Sequence, residues 1–185
     1  MVNFNDLKVT PDVRNKLSIL FTMQFSIAEN NISEYLTFKD RIAPGNYNYT
    51  NYYQLDHLNI VRCPDNKPMM GVFNFSIKNK LKLCKLLNLD PSKHQVNGIR
   101  VYANTDVPMH IDLNRGNIER DNPIYSIMLT GKEAMVFFSN RNDGSRLVAI
   151  PPLSEFIMYP TQIQHGAITK DEPLDVLQIT LEEMY

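Results

Sequence analysis

Residues able to bind a metal ion stand in two short stretches of this 185-residue chain. In the first, His110 and Asp112 alternate with apolar residues. Positions i and i+2 of an extended strand share a face, so an imidazole and a carboxylate would project side by side. The second stretch, residues 164–168, contains His165. Two histidines and one carboxylate form a facial donor set that binds ferrous iron and leaves coordination positions open. His110, Asp112 and His165 are therefore the candidate metal ligands.

A structural role is the alternative for each of these side chains. The chain has four histidines, and a histidine on a strand more often makes a structural hydrogen bond than binds a metal ion. The surrounding pattern favours a metal site, because both stretches lie among short strands separated by turns. His57 and His94 stand in no such pattern and are interpreted as structural or exposed.

Composition indicates one globular domain without a membrane segment. Hydrophobic residues make up 43% of the chain and charged residues 21%, which is ordinary for a soluble protein. A net charge of −1 argues against general nucleic-acid binding but leaves a specific nucleic-acid substrate open. Cys63 and Cys84 form no zinc motif or disulfide framework. The N-terminal residues do not resemble a signal peptide, so we expect a cytoplasmic protein.

Residues 1–95 are predicted to form a helical layer that packs on a barrel. Thr10-Pro11 predicts the start of one helix, and Asn31-x-x-Glu34 predicts the start of a second. A strand is expected over residues 69–77 and a third helix over residues 78–89. The segment Tyr47–Tyr53 is interpreted as a packed surface loop, with an aromatic lid as the alternative.

Residues 96–185 have a different pattern, with short strands separated by turns. Turn residues such as Gly131 and Gly144 occur at regular intervals between apolar stretches. Eight strands are predicted in this region, which favours an antiparallel barrel over alternating strands and helices. The expected fold is mainly β with N-terminal helices: a jelly-roll, or double-stranded β-helix, buttressed by helices as one structural domain.

The strand pattern and its histidines resemble a known family. A His-x-Asp pair on the second barrel strand and a histidine on the seventh are similar to the metal strands of Fe(II)/2-oxoglutarate-dependent dioxygenases. The resemblance covers about residues 97–181. It implies that His110, Asp112 and His165 hold Fe(II), and that 2-oxoglutarate and O2 occupy the open positions as co-substrates.

A buried 2-oxoglutarate also needs a partner for its far carboxylate. Many family members place a basic residue on the eighth strand, but residues 175–181 contain none. Arg100 and Tyr102, an i, i+2 pair on the first barrel strand, are the first choice, with a surface salt bridge as the alternative for Arg100. Arg146 is the second choice, and Gln178 and Thr180 are further candidates for hydrogen bonds to the co-substrate.

The resemblance implies an Fe(II)- and 2-oxoglutarate-dependent dioxygenase that hydroxylates a peptide side chain or a small molecule. The missing base on the eighth strand keeps a second enzyme hypothesis open, a cupin-type metalloenzyme that does not use 2-oxoglutarate. A third hypothesis is a non-enzymatic barrel that acts as a binding module, in which His110 and His165 are only buried.

Overall fold

A computed structural model describes residues 7–37, 57–110, 123–139, 146–159 and 163–181. These ranges contain two helices, α1 and α2, and eleven strands, β1 to β11. In chain order the elements are α1 (Pro11–Glu29), β1 (Ile32–Thr37), β2 (Leu58–Arg62), β3 (Pro68–Asn74), α2 (Ile77–Leu87), β4 (His94–Val101), β5 (Asp106–His110), β6 (Ile124–Met128), β7 (Met135–Ser139), β8 (Arg146–Ile150), β9 (Glu155–Met158), β10 (Gln164–Ile168) and β11 (Leu174–Leu181).

The strand order confirms the predicted fold class. One sheet has the order β1-β2-β3-β4-β11-β6-β9, and the other has the order β5-β10-β7-β8. When β4 to β11 are counted as the first to eighth barrel strands, the first sheet contains strands 1-8-3-6 and the second contains strands 2-7-4-5. Successive strands thus alternate between two facing sheets, except that strands 4 and 5 are neighbours in one sheet, and this order is the double-stranded β-helix, or jelly-roll.

The larger sheet is buried on both faces, and β11 shows this most clearly. Leu174 and Val176 belong to the apolar cluster between the two sheets. Leu177 and Ile179 belong to a second cluster, on the face that carries the helices. Alternate residues of a strand point to opposite faces. The near-continuous apolar sequence of β11 therefore fits its place between the barrel interior and the helical layer.

Helix α1 packs on the outer face of this sheet. Thr10 caps it by accepting a hydrogen bond from the backbone N–H of Val13 (3.3 Å), as the sequence predicted. Its buried side includes Leu17, Phe21 and Phe25, which lie in the outer cluster. Helix α2 also agrees with its predicted range and begins at the cap Ser76.

The predicted helix from Asn31 is wrong. Residues from Ile32 form β1, which pairs in parallel with β2. The backbone N–H of Asn31 donates to the carbonyl of Ala28 (2.9 Å), so Asn31 belongs to the end of α1 rather than to a new helix. Strands β1 to β3 extend the larger sheet. The segment before the barrel is therefore a mixed layer rather than a purely helical one.

Two further features bear on the sequence predictions. Neither of the helices described has the length and apolar character needed to cross a membrane.

The segment Tyr47–Tyr53 lies outside the described residues, so the choice between a packed surface loop and an aromatic lid stays a prediction.

Candidate metal centre

The fold brings His110 and His165 together. They are direct register partners on the antiparallel strands β5 and β10, the second and seventh barrel strands. Their ring centroids lie 4.4 Å apart, and the ring planes are tilted by 52°. His110 is buried and His165 is half-buried. Two side chains far apart in sequence thus meet inside the barrel, as the sequence pattern required of ligands to one ion.

Each imidazole is oriented by a carbonyl two residues before it. His110 Nδ1 lies 2.8 Å from the carbonyl oxygen of Pro108, and His165 Nδ1 lies 3.1 Å from that of Ile163. A carbonyl oxygen only accepts, so each Nδ1 carries the hydrogen and donates it. In the neutral ring the lone pair then resides on Nε2, which is the usual arrangement of a metal-binding histidine.

The distance between the rings fits a shared metal ion. Two imidazoles bound at about 2.1 Å, with bonds near a right angle, have centroids roughly 4.5 Å apart. The separation of His110 and His165 is close to that value. Among the residues that the structure describes, no third His, Cys, Asp or Glu completes a cluster. Asp112 lies outside the described residues, so its place in the donor set stays a prediction.

A β-bulge in β5 directs His110 into the barrel. His165 pairs with His110 and Ala167 pairs with Val107, so two residues of β5 oppose the single residue Gly166. Val107 and His110 consequently both face inward. In a regular strand, two residues that are three positions apart would face opposite sides. Pro108 suits this irregular position because it has no N–H to contribute to a regular ladder.

Gly166 permits the close approach of β10 to β5. A Cβ atom built at this position would lie 2.7 Å from the carbonyl oxygen of Val107, which is backbone and cannot move aside. The glycine directly follows His165 in sequence. The absence of a side chain at position 166 therefore allows the two strands to come close enough for the histidine pair.

The two histidines line a small, mostly apolar cavity between the sheets. Its volume is about 80 Å³. Besides the histidines, Gln178 on β11 is the one other lining residue among those described that has a polar side chain. The remaining lining residues are Met70, Ile99, Val101, Val107, Val136, Phe156, Met158, Gly166, Ala167, Leu174 and Val176. The described walls therefore surround the histidine pair with mostly apolar side chains and provide a few neutral polar atoms.

The prediction that Arg100 binds a carboxylate in this cavity is wrong. Its neighbours Ile99 and Val101 line the cavity, so Arg100 points to the opposite face of β4. There its guanidinium makes two hydrogen bonds to Asp175 (2.7 and 2.8 Å) and lies 4.0 Å from the centroid of the Phe25 ring. Hydrogen bonding to Asp175 raises the pKa of Arg100. Arg100 joins the sheet to α1.

Tyr102 also lies away from the cavity. It packs against the cluster between the larger sheet and the helices. Side chains alternate between the two faces of a strand, and Arg100 lies on the face away from the barrel interior. Tyr102, two residues further on, lies on the same face. The prediction of Tyr102 as a co-substrate contact is therefore wrong for the same reason.

Two further predicted contacts have different outcomes. Thr180 shares the inward face of β11 with Gln178 but is not among the residues that line the cavity. Arg146 begins β8, where it stands opposite Ser139 in register. Its side chain lies outside the described part of the chain, so its role stays a prediction. No Lys or Arg occurs among the described lining residues.

Sequence reasoning named Gln178 but missed the row of polar residues to which it belongs across the larger sheet. Gln178 pairs in register with Asn97 on β4 and with Ser126 on β6. Cross-strand partners share a face, so all three point into the barrel. Each stands between two buried residues of its strand, and this alternation was the available signal. Connecting them required the strand pairing, which the sequence does not reveal.

Comparison with known proteins found distant likenesses only. No protein-family model matches the chain, and no curated protein matches it in sequence. The structure of KdgF from Halomonas sp. is 12% identical, covering 64% of this chain and 84% of that one, with a TM-score of 0.38. The Schizosaccharomyces pombe Cnp3 cupin domain is 9% identical, covering 63% and 67%, with a TM-score of 0.39.

A third likeness is to the crystal structures of the DMSP lyases RdDddP and RnDddQII. The identity is 13%, 61% of this chain is covered, and the TM-score is 0.35. The match spans only 47% of the lyase chain, which is less than half of its length. The strand order described above, rather than these likenesses, defines the barrel of the present chain.

Proposed function

We propose that this chain is a mononuclear Fe(II) oxygenase in which His110, His165 and Asp112 hold the ion. The observation that carries the proposal is the cross-strand histidine pair, whose ring centroids lie 4.4 Å apart inside the barrel. When bound, the ion would supply activation of O2 for the oxidation of a substrate. Asp112, two residues beyond His110 in sequence, would complete the facial set.

The residues around the pair prepare it for this role. The carbonyls of Pro108 and Ile163 hold the ring protons at Nδ1 and thereby orient both imidazoles. The mostly apolar lining lowers the local polarity, which strengthens electrostatic interactions inside the cavity. These features support a reactive site more than two histidines that are merely buried.

The size of the cavity supports a small substrate group. An engineered cavity of about 150 Å³ holds one benzene molecule. The cavity here, at about 80 Å³, would accept a single side chain or one end of a small molecule. The proposed substrate is therefore a peptide side chain or a small metabolite that inserts one end.

The proposed co-substrate is 2-oxoglutarate, and it requires a charge partner for its far carboxylate. None of the described lining residues is basic. Arg146 at the start of β8 is the remaining predicted partner. The same lack of a described base favours a second candidate function, a cupin-type metalloenzyme that binds the ion through the same residues and does not use 2-oxoglutarate.

One assay separates the two candidates. The full chain is loaded with Fe(II) without oxygen, mixed with 2-oxoglutarate and exposed to O2, and succinate is measured. Succinate formation that depends on Fe(II) and disappears in His110→Ala and His165→Ala supports the oxygenase. The matched control is His57→Ala, which changes a histidine outside the described cavity lining and should keep wild-type turnover.

The remaining outcomes are equally informative. Fe(II) binding without succinate would reject 2-oxoglutarate and favour the cupin-type enzyme. Failure of the wild-type chain to bind Fe(II) would reject both metalloenzyme candidates and favour the non-enzymatic binding module.

A further inference from the structure

The polar row Asn97–Gln178–Ser126 crosses the interior face of the larger sheet. The three residues are register partners on β4, β11 and β6. Their sequence neighbours Val96, Tyr125 and Ile127 pack in the outer cluster with the helices, which places the row on the opposite, inward face. Gln178 lines the same cavity as the histidine pair. Gln178 therefore faces the space in which a ligand would lie, and Asn97 and Ser126 stand beside it on the same face of the sheet.

Two atoms of this row are buried without a hydrogen bond. Ser126 is fully buried, and within the described residues neither its Oγ nor the Oδ1 of Asn97 has a hydrogen-bond partner. Ser126 stands between Gln178 and Phe156 in the sheet, and both of these line the cavity. Buried polar atoms are normally hydrogen-bonded, so atoms left without a partner beside a cavity indicate a group that enters it.

The row is polar but carries no charge. A hydroxyl and two carboxamides offer both donors and acceptors. A ligand end with donors and acceptors of its own, such as a carboxamide or a hydroxyl group, can satisfy them. A carboxylate would accept from the donors, but no described residue of the row or lining carries the positive charge that would offset its burial.

We propose that Asn97, Gln178 and Ser126 form a subsite for the uncharged, hydrogen-bonding end of a ligand whose other end reaches His110 and His165. The inference rests on the proposed metal site, because that site holds the other end of the ligand. It assigns to the ligand a carboxamide or hydroxyl head and selects against a carboxylate at the same position, so it favours the second candidate function, which does not use 2-oxoglutarate.

The test uses two probes that differ only at the far end. N-oxalylglycine and N-oxalylglycinamide share a metal-chelating oxalyl group and end in a carboxylate and a carboxamide, respectively. Their affinities for the Mn(II)-loaded full chain are measured by calorimetry. We expect the amide to bind at least about tenfold more tightly, which corresponds to about 1.4 kcal/mol. Equal affinities, or tighter binding of the carboxylate, would overturn the proposal.

Variants connect this preference to the row. Gln178→Leu should reduce the preference to less than about threefold, and Ser126→Ala, a smaller change in case the first variant does not fold, should reduce it in the same direction. The matched control is Gln164→Leu, which alters a half-buried glutamine that does not line the cavity. Its neighbour His165 lines the cavity, so Gln164 lies on the opposite face of β10. An unchanged preference in both row variants would overturn the proposal.

Failure of the proposed function is distinguishable from failure of the subsite. Mn(II) binding is measured first, without probe. If the ion binds but the amide is not preferred, the subsite is rejected and the metal site stands. If no ion binds, side-chain amide NMR signals of the metal-free chain are followed with N-oxalylglycinamide. A shift of the Gln178 signal but not of the Gln164 signal supports the subsite, and its absence rejects it.

Discussion

His110 and His165 are register partners on adjacent antiparallel strands, and each donates its Nδ1 hydrogen to the carbonyl two residues before it. The same local hydrogen bond thus orients both rings from the backbone of their own strands. Changes that move β5 relative to β10 should therefore affect metal binding directly, whereas overpacking in the layer beneath the helices should affect mainly stability.

The glycine after His165 provides a test of that distinction. Gly166→Ala places a Cβ atom 2.7 Å from the Val107 carbonyl and must push β10 away from β5. We expect metal affinity to fall at least about tenfold, since disturbing the groups that orient metal ligands typically costs about 10- to 100-fold. Calorimetric titration with Mn(II) measures the change.

Gly98→Ala is the matched control for this experiment. A Cβ atom at position 98 would lie 2.2 Å from an atom of the Phe73 ring, in the layer beneath the helices. Overpacking of this kind costs typically about 1–3 kcal/mol. The melting temperature should therefore fall while Mn(II) affinity stays at the wild-type value. A Gly166→Ala variant that binds Mn(II) as tightly as wild type would show that the strand spacing does not set the site.

The Arg100–Asp175 ion pair should act on stability and not on ligand binding. Asp175 is 3% exposed, so Arg100→Met would leave a buried carboxylate without its cation. Breaking a buried pair in this way costs about 3–5 kcal/mol. The double variant Arg100→Met, Asp175→Leu should recover much of that loss, because both charges are removed. Urea unfolding measures the free energies.

Ligand titration of Arg100→Met separates the structural role from the role that the sequence predicted. We expect its affinity for 2-oxoglutarate to equal that of wild type, provided that wild type binds the compound. Unchanged stability together with weakened 2-oxoglutarate binding would mean that Arg100 serves the cavity after all.

Tyr125 should make the fold sensitive to alkaline pH. Burial raises the pKa of its phenol to about 12, and the Glu155 carboxylate acts in the same direction. In the unfolded chain a tyrosine ionises near pH 10. Between these values the unfolded chain releases a proton that the folded chain keeps. The stabilising contribution of the neutral phenol is therefore complete below about pH 10 and is lost as the pH rises through about 12.

Urea midpoints measured from about pH 9 to 12 test this effect, which extends across the interval between the two pKa values. Tyr125→Phe should lose less stability over this range than wild type. Tyr159→Phe, which changes an exposed tyrosine, should follow the wild-type curve. Parallel curves for all three proteins would show that Tyr125 ionisation does not contribute.

The sequence was sufficient to predict the barrel and the meeting of the histidines. Regular turns after residue 96 predicted eight strands, and the structure has eight from β4 to β11. Their order follows from the jelly-roll, which places the second and seventh strands side by side. His110 and His165 stand on those two strands. The prediction thus depended on counting strands and not on their exact ends.

The sequence did not predict which residues of each strand face the barrel interior, nor which distant strands pair. Arg100 stands between Ile99 and Val101, and composition alone does not tell which of the two faces of β4 is inside the barrel when both are apolar. The bulge at Pro108 depends on the partner strand. The polar pattern from Asn31 to Glu34 suits a helix start, but parallel pairing with β2 and the hydrogen bond at the end of α1 override that local preference.

Anaerobic Fe(II) titration by calorimetry tests the central claim most directly. The account predicts one ion per chain and a loss of affinity of at least about 100-fold in both His110→Ala and His165→Ala, because removing a ligand should cost more than disturbing its outer partners. His57→Ala should bind like wild type, and Asp112→Ala should weaken binding if the facial set is complete. Wild-type Fe(II) affinity in either His110→Ala or His165→Ala would contradict the account.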